Sequence, residues 1–177
     1  MHRHELISAS PSPRIAAPIA DPVEPLNVWI VAAAEPLPML DGGFRPFRCS
    51  LLSTALTARG HQVTWWTSDF DHMRKAPRFG EFRSIPVDDR LSLNLLPGPT
   101  YRRNISLRRV LHHHLMARRF STEAARSSPL PDVIFACLPP LELAERAVEY
   151  ASSRAIPVIV DIRDLWPDLY LRAFPRS

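Results

Sequence analysis

The 177-residue chain contains only two cysteines, Cys49 and Cys137, and Lys75 is its single lysine. Two cysteines make no disulfide framework and their spacing is not that of a metal site, so buried free thiols in a reducing compartment are expected. No apolar run is longer than Val28–Ala34, far short of the roughly 20 residues that span a bilayer. A secretory leader also needs a continuous apolar stretch, which the polar, broken N-terminal segment lacks. The glycine pattern G-x-G-x-x-G is missing too, so no dinucleotide fingerprint is present. These absences leave a soluble or membrane-peripheral protein, expected in the cytoplasm or at the inner face of a membrane.

Arginine and proline are abundant. The net charge is +4, carried almost wholly by arginine, whose guanidinium keeps its charge and forks onto phosphate oxygens. Such a balance suits nucleic acid, an anionic membrane or a phosphorylated ligand. Six of the 19 prolines lie in the first 36 residues. Residues 1–25 lack hydrophobic periodicity and read as a flexible tail.

From residue 26 the pattern alternates. Asn27–Ala33 is a short apolar run suited to a strand buried on both faces. A loop with Pro36, Pro38, Gly42 and Gly43 leads to a helix over 46–59, stopped by Gly60, and then a strand over Gln62–Thr67. Residues 68–80 read as an exposed loop, with extended pieces at 82–87 and 91–96. A long helix is predicted over 105–126, a strand over 132–137, a helix over 141–154, and a final buried strand over 157–162. This is the grammar of an α/β domain with a Rossmann-like, doubly wound parallel sheet. The chain ends soon after its last strand and turn, so it reads as a truncated domain.

Ligands of such sheets bind outside the carboxyl ends of the strands, which selects loops 34–45, 97–104, 138–140 and 163–168. In the first, Gly42 and Gly43 permit close backbone approach. Arg45 and Arg48 stand where a helix start presents free N–H groups to an anion; a plain turn with solvated arginines is the alternative. The helix 105–126 aligns Leu107, Val110, Leu111 and Leu115 on one face. Arg108, His112, Arg119 and Arg126 flank that face, as on an interfacial helix, unless this is only the solvated edge of a core helix. His112-His113-His114 does not suit a metal, because consecutive helical residues diverge by about 100°. In the 138–140 loop, Glu142 and Glu145 of the following helix repel an anion. The densest segment is Asp161-Ile162-Arg163-Asp164-Leu165-Trp166-Pro167-Asp168. Its carboxylates, arginine and tryptophan suit a sugar site, and equally an Arg–Asp structural pair beside a core tryptophan.

That segment resembles the Arg-Asp-Leu-Trp-Pro signature of family-4 glycosyltransferases of the GT-B fold, close to their O-antigen and capsular-polysaccharide members. Gly42-Gly43 with the following helix, Arg59-Gly60-His61-Gln62-Val63-Thr64, and Pro131-Asp132-Val133-Ile134 followed by Pro139-Pro140 match in the same order. The stretch 99–104 also fits. The resemblance implies an N-terminal, acceptor-side domain of a retaining enzyme. It would move sugar from a nucleotide donor to a polyprenyl-linked or saccharide acceptor in surface polysaccharide synthesis, without a metal or other cofactor. It carries substrate binding over to Gly42, Gly43 and Arg45; in the signature segment Arg163, Trp166 and Asp168 are assigned to substrate binding and Asp164 to catalysis, while the helix pattern sets Arg108, Arg119 and Arg126 against an anionic membrane. Two features depart from the family. The loop Cys137-Leu138-Pro139-Pro140 lacks the histidine of many relatives, and the donor-binding Glu-x7-Glu pair is absent, so a donor domain or partner subunit is expected to supply it. The alternatives are another GT-B enzyme, such as a sugar-nucleotide epimerase, or a non-catalytic binding module. Nucleic acid fits that module poorly, because the basic region has no interleaved exposed aromatics and no reader motif.

Overall fold

The computed structural model describes residues 24–33, 35–42 and 45–163. The predicted tail therefore lies almost wholly outside the described residues, as do Gly43, Asp164, Trp166 and Asp168. The elements run β1 (Asn27–Val31), α1 (Pro38–Asp41), α2 (Arg48–Ala58), β2 (Gln62–Ser68), β3 (Phe70–Asp71), β4 (Ala76–Pro77), β5 (Arg83–Pro86), β6 (Leu91–Leu96), α3 (Leu107–Ala124), β7 (Val133–Leu138), α4 (Leu141–Ser152) and β8 (Val158–Ile162). Six strands form one sheet in the order β5-β6-β2-β1-β7-β8. All neighbours are parallel except the β5–β6 pair. The expected Rossmann-like α/β class is observed.

Consecutive strand residues point to opposite faces, and Trp65 and Trp66 accordingly enter different layers. Trp66 packs with Trp29, Met116, Phe120, Leu143 and Tyr150 under α3 and α4. Trp65 packs with Ile30, Leu37, Cys49 and Leu93 under α2, and its Nε1 donates to the Ala32 carbonyl at 3.0 Å. Helices thus cover both faces. The chain winds outward from β1 through β2 to β6, then crosses back through α3 to β7 and β8. The switch point falls between β1 and β7, beside the loops that follow those two strands.

Gly60 ends α2 at φ +95°, a conformation glycine adopts without penalty. Its N–H donates to the Thr57 carbonyl and that of His61 to the Leu56 carbonyl, closing the helix in the usual C-terminal manner.

Three readings need correction. Residues 68–80 are not only loop: Phe70–Asp71 and Ala76–Pro77 pair as a small antiparallel ribbon. The last strand is not buried on both faces. It is the sheet edge, with Ile159 56% and Ile162 62% exposed, because no described strand pairs along its outer side. On α3 the core face is His112, Met116, Ala117, Phe120 and Ala124, one i, i+4 ridge. The stripe Leu107, Val110, Leu111 and Leu115 lies on the solvent side, and Leu107 is 88% exposed. His112 is therefore inside the protein and does not stand with the surface arginines. No described helix is long and apolar enough to cross a membrane.

Candidate functional site

Arg163, just past β8, organises the polar groups at the switch point. Its guanidinium bonds the Glu35 carboxylate through Nη1 and Asp161 Oδ2 through Nε at 3.0 Å. Nη2 donates to Cys49 Sγ at 2.8 Å and Cys137 Sγ at 3.1 Å. Burial disfavours the Arg163 charge, but the two sulfurs and Glu35 more than offset it and push its pKa up. Asp161 also accepts from Arg48 Nη1 at 2.7 Å. Burial opposes its ionisation, yet the hydrogen bonds from Arg48 and Arg163 hold it below the usual carboxylate range.

Glu35 closes the start of α2. Its Oε2 accepts from the Cys49 N–H at 3.0 Å, so a carboxylate of the chain already sits at the helix N-terminus, where negative charge is favoured. One of the helix-start amides expected for a phosphate is thus taken by the chain itself. The two thiols are buried and free as expected, and their proximity was not legible in their spacing. The hydrogen bond from Cys49 lowers the Cys137 pKa against the opposing effect of burial, with Arg163 adding to the lowering. The same hydrogen bond and burial raise that of Cys49.

Above this centre lies an open cleft of about 710 Å³, lined by Glu35, Arg45, Pro46, Phe47, Arg48, Leu51 and Arg163. Arg45 and Arg163 therefore share one cleft, but Arg163 is largely engaged by carboxylates and sulfurs. Its bonds match the structural Arg–Asp pair that was the alternative reading. Arg45 is exposed and has no carboxylate partner among the described residues. Gly42 has φ +63°, and a Cβ built there meets nothing within 4 Å. The turn needs glycine for its backbone angle, and no described residue crowds it.

The arginines assigned to a membrane are dispersed. Arg119 and Arg126 both pair with Glu123, at 3.0 and 3.7 Å, while Arg108 is exposed beside Leu107 and Leu111. Glu142 in the first turn of α4 lies 3.7 Å from His113 and 3.5 Å from His114.

A second polar constellation, missed in the sequence, lies at the same sheet edge. Ser68, Phe70, His72, Tyr101, Arg109, His112, His113 and Pro139 are among the groups that line it. His72 Nδ1 is 2.8 Å from Tyr101 Oη. His112 Nε2 is 3.2 Å from Ser68 Oγ, and its Nδ1 is 2.9 Å from the Pro99 carbonyl. Burial lowers the pKa of all three imidazoles, His113 to about 4, with the Arg109 charge adding to the effect. The three consecutive histidines diverge into a buried, a half-buried and an exposed position. Only the residues brought in from β2, the ribbon and the 97–104 loop turn them into a site.

No family model matches the chain, and no curated protein matches it. Among solved structures, the C-terminal domain of a hydrogenase from Pyrococcus furiosus is similar, at 14% identity and a TM-score of 0.47, over 82% of this chain and 96% of that one. A likeness at that level assigns no activity. The resemblance to family-4 glycosyltransferases is not upheld, since neither a family model nor a curated protein supports it. The motifs that suggested it have structural work in this fold. Gly60 caps α2, and His61 Nδ1 accepts from the Leu26 N–H at 3.0 Å. Asp132 Oδ2 accepts from the Asn27 N–H at 2.7 Å, and Arg163 is held by Asp161 and Glu35. The described parts of those motifs therefore serve as caps and ties of this sheet.

Proposed function

We propose that the domain holds one side of a transferase site for a nucleotide-activated sugar, with the donor's diphosphate in the cleft over the start of α2. One observation carries the reading. An open cleft of about 710 Å³ at the sheet's switch point is lined by three guanidinium groups, of which Arg45 has no partner among the described residues. Small-ligand sites usually enclose about 300–1,000 Å³ and occur at this topological position. Glu35 takes the Cys49 amide, so side chains would bind most of the diphosphate, as arginine forks commonly do.

The test is calorimetric titration of the full chain with a uridine diphosphate sugar, followed by radiolabelled transfer to a polyprenyl-diphosphate acceptor. Loss of one charge-assisted bond in Arg45→Met should weaken nucleotide-sugar binding about tenfold. Affinity equal to wild type in that variant would reject the cleft as the diphosphate site.

A second reading, compatible with the first, is docking on an anionic membrane surface. Ile105, Leu107, Val110 and Leu111 are exposed together, flanked by the exposed Arg102, Arg103 and Arg108. An apolar stripe bordered by cations suits the headgroup boundary, which would place the protein at a cytoplasmic membrane face.

A further inference from the structure

We propose that the histidine-lined pocket beside Arg109 is a separate binding site for a phosphoryl group. Four independent observations converge there. Arg109 Nε is buried and has no hydrogen-bond partner, while Nη1 donates to the Asn104 carbonyl at 2.8 Å. A buried donor left unpaired is costly, and such a group calls for a partner.

The positive charge has no direct ion-pair partner, although Asp71, Asp69 and Glu142 lie within electrostatic reach of His72, His112 and His113. Lys75 Nζ lies 3.4 Å from both ring nitrogens of His72 and 2.7 Å from Asn104 Oδ1. No described carboxylate pairs with Arg109 or Lys75. The nearby acids are engaged elsewhere. Asp69 accepts from the N–H groups of Phe79 and Gly80. Asp71 accepts from those of Met73 and Arg74 and faces the Arg74 and Arg78 guanidinium groups.

Of the remaining lining, His72, His113 and Tyr101 present imidazoles and a hydroxyl, while the Ser68 hydroxyl donates to His112 Nε2, whose Nδ1–H donates to the Pro99 carbonyl. At neutral pH the rings are uncharged, so Arg109 and Lys75 are the cations at the pocket among the described residues. Two cations match a dianion better than a monoanion. The pocket is narrow, about 20 Å³, room for one oxygen-sized group. A phosphoryl group would therefore seat one oxygen inside, near Arg109 Nε, and keep the others at the mouth toward His72 and Lys75. None of these residues lines the cleft with Arg45, so the two sites stand or fall separately.

The experiment is titration of the full chain with inorganic phosphate at constant ionic strength, read by NMR of the histidine rings. His113 faces Arg109, His112 and His114 of its own helix, His72 of the ribbon turn, and Glu142 of α4. A bound dianion should raise its pKa from about 4 by about one unit, and Glu142→Gln should leave that response in place. Arg109→Met should weaken phosphate binding at least about tenfold. Lys75→Met, on a surface turn where folding is not at stake, should weaken it several-fold, and Arg45→Met should change nothing. Absence of a saturable shift up to about 50 mM phosphate, or wild-type affinity in both Arg109→Met and Lys75→Met, would overturn the site. Acetate binding as tightly as phosphate would overturn its assignment to a phosphoryl group.

Discussion

Cys49 Sγ and Cys137 Sγ lie 3.6 Å apart, joining the first turn of α2 to the end of β7 across 88 residues of sequence. Arg163 Nη2 touches both. A lowered thiol pKa at Cys137 and an adjacent partner thiol meet two requirements of a peroxide-reactive pair, and the third, solvent access, comes only when this buried centre opens. Hydrogen peroxide should be attacked by the Cys137 thiolate, breaking the O–O bond to leave a sulfenic acid and hydroxide, which takes a proton to become water. The Cys49 thiol then displaces water to form the disulfide. Intact mass should fall by the two hydrogens lost, and both free thiols should disappear together. Peroxide that yields only singly oxidised, uncrosslinked chains would contradict this. Cys49→Ser should accumulate the sulfenic acid.

Removing the guanidinium at this centre should be costly. Glu35 is nearly fully buried, its side chain 3% exposed, and Arg163→Met leaves its charge without a counter-ion. Breaking such a pair costs about 3 kcal/mol, to be read from denaturant midpoints at unchanged slope. The Glu35→Gln/Arg163→Met double variant should recover part of that loss, because no uncompensated charge remains. A purely additive double variant would show that the two residues do not act as a unit.

Most of the fold was legible because its strands announce themselves. The run Val28–Val31, the tryptophan pair at 65–66 and the alternating leucines of Leu91–Leu96 each satisfy a sheet buried on both faces. Gly60 and Pro140 mark helix boundaries for reasons any sequence carries. The edge position of β8 was not legible, since an apolar run looks the same whether or not a neighbour pairs outside it. The true core face of α3 was hidden for a similar reason. A leucine stripe and a His112–Met116–Phe120 ridge both repeat at helical spacing, and only packing against α4 and Trp66 chooses between them. Of the candidate cleft, loop positions singled out Arg45 and Arg163, which both line it. The partners Glu35, Cys49 and Cys137 lie far apart in sequence and meet only through the sheet, as do His72, Tyr101 and Arg109.

Acid should destabilise the protein through the histidine pocket. A histidine unfolds with a pKa near 6.5, whereas burial and the Arg109 charge hold His113 at about 4. The unfolded chain therefore binds more protons between those values, so this contribution is present above about pH 6.5 and is lost as pH falls toward 4. The full difference amounts to about 3 kcal/mol. His113→Gln should flatten the stability profile between pH 6.5 and 4, and an unchanged slope would contradict the assignment.

The exposed stripe on α3 gives a membrane test that does not disturb the core. Replacing Leu107 and Leu111 with glutamate should leave stability within about 0.5 kcal/mol, since neither side chain is buried. Co-sedimentation with anionic vesicles should be abolished, and for the wild type it should fall with added salt. Equal binding to neutral vesicles, or full retention in the double variant, would reject surface docking.

The central claim is that a phosphorylated donor binds over the start of α2. It is tested most directly by mapping backbone amide shifts while a uridine diphosphate sugar is titrated into the full chain. The account predicts saturable shifts at Gly42, Arg45, Phe47 and Arg48, which Arg45→Met suppresses. Shifts that cluster instead around His72, Tyr101 and Arg109, or none at all at saturating ligand, would contradict it.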